Sequence, residues 1–373
     1  MKKILMISTI VVVVAVIAVA AIIVNNNNNN DDGNTDSPVL EFDDSLGTHF
    51  KLDAPLEKVI VLNRQTAMAF SILGAEDMVI ATGDTTVKNE SYLTAYASLP
   101  DVGETGSPDI EKIIDLNPDA VFCYTNRAME LESKLNPVGI HVIRIDNYQP
   151  EKYDQEMLLL GKILGKNTRA QEFVDYENGL MKQVSDVVDK LADSDKKTVL
   201  ALSVGFLNGS GGYRIFPCYS TDGTAGVGEG YSTILAGGKD ASPTIKYDKT
   251  QASTTVLVDQ EFVLDTCKPE VITLHGTWLG GYNCTDINDY KKVMDNIYSV
   301  STIDKTPAGE NKKVYIFHTD MLGAALRPIG ILQLATYLNP DSFTGISAET
   351  VAKEFFSTWL HTEFKGIWWY AAE

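Results

Sequence analysis

Apolar and polar positions along the chain fall into a pattern that occurs twice. In Leu99–Tyr124, LPDVGETGSPDIEKIIDLNPDAVFCY, a glycine-rich loop leads to Ile110, Ile113, Ile114 and Leu116, apolar at helical spacing. Ser107 or Asp109 can cap that helix, and Pro108 suits its first turn. Asn117-Pro118-Asp119 stops it, because the residue before a proline avoids the helical region. The run Ala120–Tyr124 then reads as a strand covered on both faces. The second copy runs from Val256 through Asp259, Glu261 and Leu264 to Pro269 and the apolar Val271–Leu274. Glutamate to proline is one residue longer there (Glu261 to Pro269) than in the first copy (Glu111 to Pro118). Two copies are too few for a solenoid and predict two similar α/β lobes.

Other segments fit around that pair. Phe42–Leu52 alternates loosely and predicts an edge hairpin. Val59–Leu62, Val79–Thr82, Ala120–Tyr124 and His141–Ile145 are strands separated by loops and helices, including Thr66–Leu73 closed by Gly74. That order implies a parallel sheet with helices on both faces. Glu151–Leu164 is helical and ends at Gly165, and Asn167 can cap the next helix. From Thr168 to about Ala192 the latter reaches roughly 37 Å at 1.5 Å per residue, the length of a strut between lobes. Strands restart at Thr198–Leu202 and return at Val314–Phe317, on either side of a glycine-rich region, Val204–Gly238, whose Gly226–Gly230 reads as a loop. Two helices close the chain, Pro328–Leu338 and one capped by Ser347 that runs to Glu363.

Before these elements, Met1-Lys2-Lys3 precedes an apolar run from Ile4 to Val24, long enough to span a bilayer. The lysines place the N-terminus inside and the rest of the chain outside. The segment is read as an uncleaved anchor, with a cleaved signal ending near Ala18-Val19-Ala20 as the alternative. No cysteine follows it to take a lipid. Residues 25–38, rich in Asn and Asp, form a tether with nothing to bury. The expected organisation is therefore 1–24 anchor or signal, 25–38 linker, 39–150 first lobe, 151–195 linking helices and 196–373 second lobe. The fold class is α/β, two parallel-sheet lobes joined by one long helix.

Charge and cysteine usage narrow the chemistry. A net charge of −19 argues against nucleic-acid or anionic-membrane partners. Cys123, Cys218, Cys267 and Cys284 have no zinc spacing. Cys123 reads as core, and a disulfide among the others is open in an oxidising exterior. No G-x-S-x-G, phosphate loop or H-E-x-x-H occurs, so no catalytic residue is expected.

In this order, Val59–Asn63, Leu73–Asp77, Leu99–Gly103, Asp109–Val121 and Arg327–Ala335 resemble the substrate-binding proteins of ABC importers, in the cluster that carries iron–siderophore complexes, haem and cobalamin. The resemblance runs from about Lys58 to the C-terminus. It implies two lobes joined by a rigid helix, a ligand in the cleft between them, and no resident cofactor. It also implies an ABC permease dimer with its ATPase as partner, and a monomer when free. One glutamate on each lobe docks on permease arginines in that family, and Glu111 and Glu261 match those places. The plain alternative for each is a solvated first-turn acid favoured by the helix dipole.

Ligands of parallel α/β sheets sit beyond the carboxyl ends of the strands. That rule selects Asn63, Arg64, Asp84, Glu104, Tyr124 and Arg127 in the first lobe, and Phe206, Tyr213, Arg214, Trp278, Tyr282 and Arg327 in the second. Aromatic walls give contact area, and arginines grip carboxylate or phosphate groups through a planar fork. Arg327 has a second reading, in which it holds the start of its own helix. A bare-metal site needs histidines and carboxylates from both lobes converging on one ion, and the cleft loops of the first lobe contain no histidine. His275 and His318 both fall in the second, so no metal site is expected. Ferric siderophore is the first-choice cargo, corrinoid the second and haem the third. A non-transport surface sensor is the rival class.

Overall fold

The computed structural model describes residues 40–84, 86, 92–205, 211–251, 253–276, 280–300 and 302–371, and Pro38–Glu373 forms one compact unit. The expected anchor and tether at 1–38 lie outside the described residues. Among the described residues, no helix is long and apolar enough to cross a membrane.

The alternating Phe42–Leu52 segment is an antiparallel hairpin, Leu40–Asp43 against His49–Leu52, with Phe42 and Phe50 stacked on one face. The apolar runs that follow build a four-stranded, all-parallel sheet in the spatial order Val79–Thr82, Val59–Val61, Ala120–Cys123, His141–Arg144. Val59–Val61 and Ala120–Cys123, its two central strands, are fully buried because helices cover both faces. From Val59–Val61 the chain goes first to one neighbour and later to the other. The loops after Val61 and Cys123 therefore diverge and leave a crevice between them.

The repeated pattern folds as a repeat, with one difference. In the first copy Asp109 caps the helix Ile110–Leu116 by accepting from the Lys112 amide at 3.0 Å, and Asn117 ends it in the left-handed region at φ 48°. In the second, Asp259 accepts from the Phe262 amide at 2.6 Å and Lys268 ends the turn at φ 42°. Between those fixed points the second copy winds Phe262–Cys267 as a π-helix. The wider turn takes up the extra residue, so Pro269 and the strand Val271–Gly276 start as Pro118 and Ala120–Cys123 do.

The long helix is Asn167–Val188, with Lys166 rather than Asn167 at its cap position, and spans about 33 Å. Its buried face carries Ala170, Phe173, Val174, Glu177, Val184 and Val188. That face belongs to one continuous apolar core that reaches from Phe70 and Phe122 beside the first sheet to Phe317 and Phe356 beside the second. The preceding helix, Tyr153–Ile163, crosses it so closely that a Cβ on Gly161 would sit 2.4 Å from Ala170 Cβ.

The second sheet departs from the all-parallel expectation. Thr198–Ser203, Val271–Gly276 and Val314–His318 are parallel, and Lys239–Asp240 joins them in parallel. Tyr213–Ile215 and Trp369–Ala371 run against them, and Val256–Val258 pairs antiparallel with Tyr213–Ile215 at the edge. Only nine residues separate Ser203 from Tyr213, whereas a parallel return needs a crossover of a dozen or more. Gly226–Gly230 is not simply a loop either, since a helix, Gly228–Leu235, begins inside it. Gly230 is there for clearance: a Cβ would meet the Phe216 and Pro217 carbonyl oxygens at 2.4 and 2.5 Å. All four cysteines are free thiols, three of them buried.

Candidate ligand-binding cleft

A cavity of about 230 Å³ opens where the carboxyl ends of both sheets face each other. From the first-sheet side it is lined by Arg64 and Gln65 after Val61, by Tyr124, Asn126 and Arg127 after Cys123, and by Tyr148 after Arg144. Opposite stand Val227, Gly228 and Glu229 at the start of a helix, Thr254, and Thr319 and Asp320 just past the strand Val314–His318.

The first wall is held by a buried arginine. Arg144, wholly inaccessible, uses every guanidinium donor: two N–H groups donate to the Glu132 carboxylate at 2.6 Å, and the rest to the carbonyl oxygens of Tyr124, Arg127 and Ala128 at 2.8, 2.5 and 3.0 Å. Asp146 ties the same loop to the next one, accepting from the Thr125 amide and hydroxyl and from the Gln149 amide group. Tyr124 and Tyr148 consequently stand edge to face, ring centroids 5.7 Å apart. The Tyr124 hydroxyl donates to Gln65, and burial pushes its pKa up to about 12, so it stays a neutral donor. Arg127, exposed at the mouth, has no side-chain partner among the described residues.

The floor joins the two sides. Arg64 Nη2 lies 2.5 Å from Asp320 Oδ1, and Asp320, 2% exposed, also accepts from the Tyr92 hydroxyl at 3.2 Å. His318 Nδ1 is 3.6 Å from Asp320 Oδ2, and burial holds this imidazole below its usual pKa. Glu229 accepts from the Thr319 hydroxyl at 2.8 Å, and desolvation raises its carboxyl above the ordinary range. On the rim, Glu151 accepts from the Ala225 amide at 2.8 Å and pairs with Lys249 at 3.2 Å.

Of the residues selected from the sequence, Arg64, Tyr124 and Arg127 line this cavity. The structure places several others elsewhere. Asn63 is buried behind the floor, its amide donating to Thr66 Oγ1 and the Ile145 carbonyl. Tyr213 is buried in the second apolar core with its hydroxyl on Thr302, because its strand alternation turns it inward. Arg214, on the opposite strand face, reaches Thr255. Tyr282 packs on Phe356 beneath Lys365. Arg327 is 8% exposed and pairs with Glu177 of the long helix, donates to the Pro150 carbonyl and lies over the Tyr153 ring; it is a packing residue. Asp84 and Glu104 are not among the residues lining the cavity, and Phe206 and Trp278 lie outside the described residues. Among the described residues no cluster could hold a metal ion. His275 is sealed between Phe216 and Phe317, its pKa driven down to about 3 by burial.

Sequence reasoning missed Glu229, Asp320, Tyr148 and Thr319. Their signal was available in principle for Asp320 and Thr319, which directly follow a strand end, but an acid there reads equally as a solvated turn residue.

Glu111 and Glu261 are both exposed, each two residues past its capping aspartate, and both lie away from the cavity.

Comparison with known proteins places these features in context. A family model described as "Periplasmic binding protein" matches residues 59–321. The iron-uptake system-binding protein of Bacillus subtilis is 30% identical over 106 residues, 28% of this chain; the match spans 32% of that relative's length. Among solved structures, the TroA-like periplasmic binding protein FepB of Veillonella parvula superposes with a TM-score of 0.70 at 23% identity, covering 90% of this chain and all of that one. The molybdate-binding MolA of Haemophilus influenzae also reaches 0.70, at 18% identity over 87% of this chain and 99% of its own. A periplasmic heme-binding protein from Pseudomonas aeruginosa gives 0.59, at 15% identity over 76% and 93%. At these identities the structural likeness is one of fold.

Proposed function

Since this chain belongs to the periplasmic binding protein family, a solute-binding rather than a catalytic class, we propose that it captures an iron chelate outside the cytoplasm and delivers it to an ABC permease and its ATPase. The observation that carries this reading is the cavity at the facing carboxyl ends of two sheets, walled by Tyr124 and Tyr148 and carrying Arg127 at its mouth. Aromatic faces and a guanidinium fork suit a broad, partly apolar ligand with oxygen-rich edges. The iron-uptake relative supports iron as the metal carried. Residues 39–150 and 196–373 act as the two lobes and 151–195 as their link. The protein holds no resident cofactor, and the chelate is cargo.

At about 230 Å³ the cavity is below the roughly 300–1,000 Å³ of small-molecule sites, so a chelate enters only as the walls part. That motion is small, because the long helix is buried in the core shared by both sides.

Thermal melting of the full chain with ferric siderophores, cobalamin, cobinamide, haem and free metal ions tests this. A ligand at about 100 times its Kd adds about 2.7 kcal/mol, which raises Tm by a few degrees in a protein of this size. The expected result is a shift with a ferric siderophore that is largely lost in Arg127→Ala. A shift confined to cobalamin and cobinamide, or to haem, reassigns the cargo, and no shift with any of them overturns the reading.

Delivery requires a docking surface, and Glu111 and Glu261 are proposed for it. Replacing both with Ala should leave siderophore affinity unchanged and cut iron uptake by cells carrying the permease by about tenfold or more. Uptake at the wild-type rate would remove these residues from the docking surface.

A further inference from the structure

The cleft floor bears on the charge of the cargo, a question that rests on the iron-chelate reading above and sharpens it. We infer that the cleft selects a chelate of low net charge, with Asp320 as the residue that sets this preference by occupying Arg64 from the opposite side.

Among the described residues, the charged groups that line the cavity balance. Arg64 and Arg127 supply two guanidinium groups, and Glu229 and Asp320 supply two carboxyl groups. The Arg64 guanidinium is already engaged at 2.5 Å by Asp320, whose own carboxylate is almost wholly sealed from solvent. Glu229 adds a second acid within electrostatic reach of Arg64, held by Thr319. An ion pair this dry is costly to break by removing one partner, because the partner left behind is an uncompensated buried charge. A trianionic ligand reaching for Arg64 must displace Asp320 and leave it facing Glu229, with Tyr92 and His318 beside it. A neutral ligand leaves the pair intact, takes its contact area from Tyr124 and Tyr148, and sets its oxygen atoms against Arg127. The overall charge of −19 opposes a trianion further by repulsion during approach.

The test is a fluorescence-quenching titration of the full chain with three ferric complexes of similar size. They are a trianionic tris-catecholate, a neutral tris-hydroxamate and a monocationic tris-hydroxamate bearing a free amine. The expected order is neutral or monocationic ahead of trianionic by at least about tenfold in Kd. Asp320→Asn, which keeps the shape and removes the carboxylate charge that holds Arg64, should narrow or reverse that ratio by about tenfold, mainly by improving the trianionic arm. Arg64→Gln should widen it. A wild-type preference for the tris-catecholate overturns the inference and leaves the iron-chelate reading standing, as does an unchanged ratio in an Asp320→Asn protein with wild-type circular dichroism. Binding of none of the three overturns the iron-chelate reading, and this inference with it.

Discussion

Arg144→Lys should destabilise the protein by about 3 kcal/mol, since each buried carbonyl oxygen left without its donor costs about 1–3 kcal/mol, and weaken ligand binding at the same time. The wild-type guanidinium forms a fork with Glu132 and also closes three carbonyl groups of the loop Tyr124–Ala128. A lysine ammonium has three donors on a flexible stem and cannot satisfy a planar, five-donor arrangement. The freed carbonyl oxygens are next to the residues that carry Tyr124 and Arg127 into the cavity, so the loop loosens where the ligand sits. Urea unfolding monitored by circular dichroism measures the first effect, and siderophore titration below the transition measures the second. Unfolding at the wild-type midpoint would show that the fork does not hold this wall.

The second large effect belongs to Glu177. It sits in the buried stripe of the long helix, 2% exposed on its side chain, and is the carboxylate partner of Arg327. Among the described residues, one of its oxygens and the Arg327 Nε have no hydrogen-bond partner, so the pair is incompletely satisfied there. Glu177→Ala strands the Arg327 charge among Tyr153 and the Pro150 carbonyl, and should cost about 3–5 kcal/mol. Glu177→Leu combined with Arg327→Met removes both charges with apolar groups and should recover most of the loss, since a buried ion pair often contributes little beyond a well-packed apolar pair. The double variant should also bind ligand normally, because Arg327 packs away from the cavity. Thermal melts of the three proteins decide the matter; a double variant no more stable than Glu177→Ala would mean the pair does more than neutralise itself.

The residues that were legible in the sequence share one property, which is that neighbours in the chain determine them. Val59–Val61 and Ala120–Cys123 are buried strands because consecutive apolar side chains have to be covered on two faces. Asp109 caps because it stands three residues before a free amide. The opposite holds for Arg327, whose partner lies 150 positions earlier on another helix. No local pattern separates an arginine that grips a ligand from one that pairs with a buried glutamate. Tyr213 was selected as an aromatic beyond a strand's carboxyl end, but its orientation depends on the register of a short antiparallel strand. Arg144 is one polar residue at the end of an apolar strand, and nothing before it announces that three of its donors close one loop while two pair with Glu132. Helix Gly228–Leu235 was hidden because glycine weakens a helix in isolation, whereas here its missing side chain lets the helix touch the Phe216–Pro217 backbone.

The extra residue wound into the π-turn has a consequence for symmetry. Asp109 and Asn117 in one half, and Asp259 and Lys268 in the other, mark corresponding points, and the added length is confined between them. Each half therefore presents its glutamate at the same step after its cap, as if related by a two-fold axis that the rest of the sequence does not obey. If those glutamates do dock, a receiver made of two identical subunits would find equivalent handles on either half. Only the unequal cleft walls would then distinguish one orientation of the complex from its reverse.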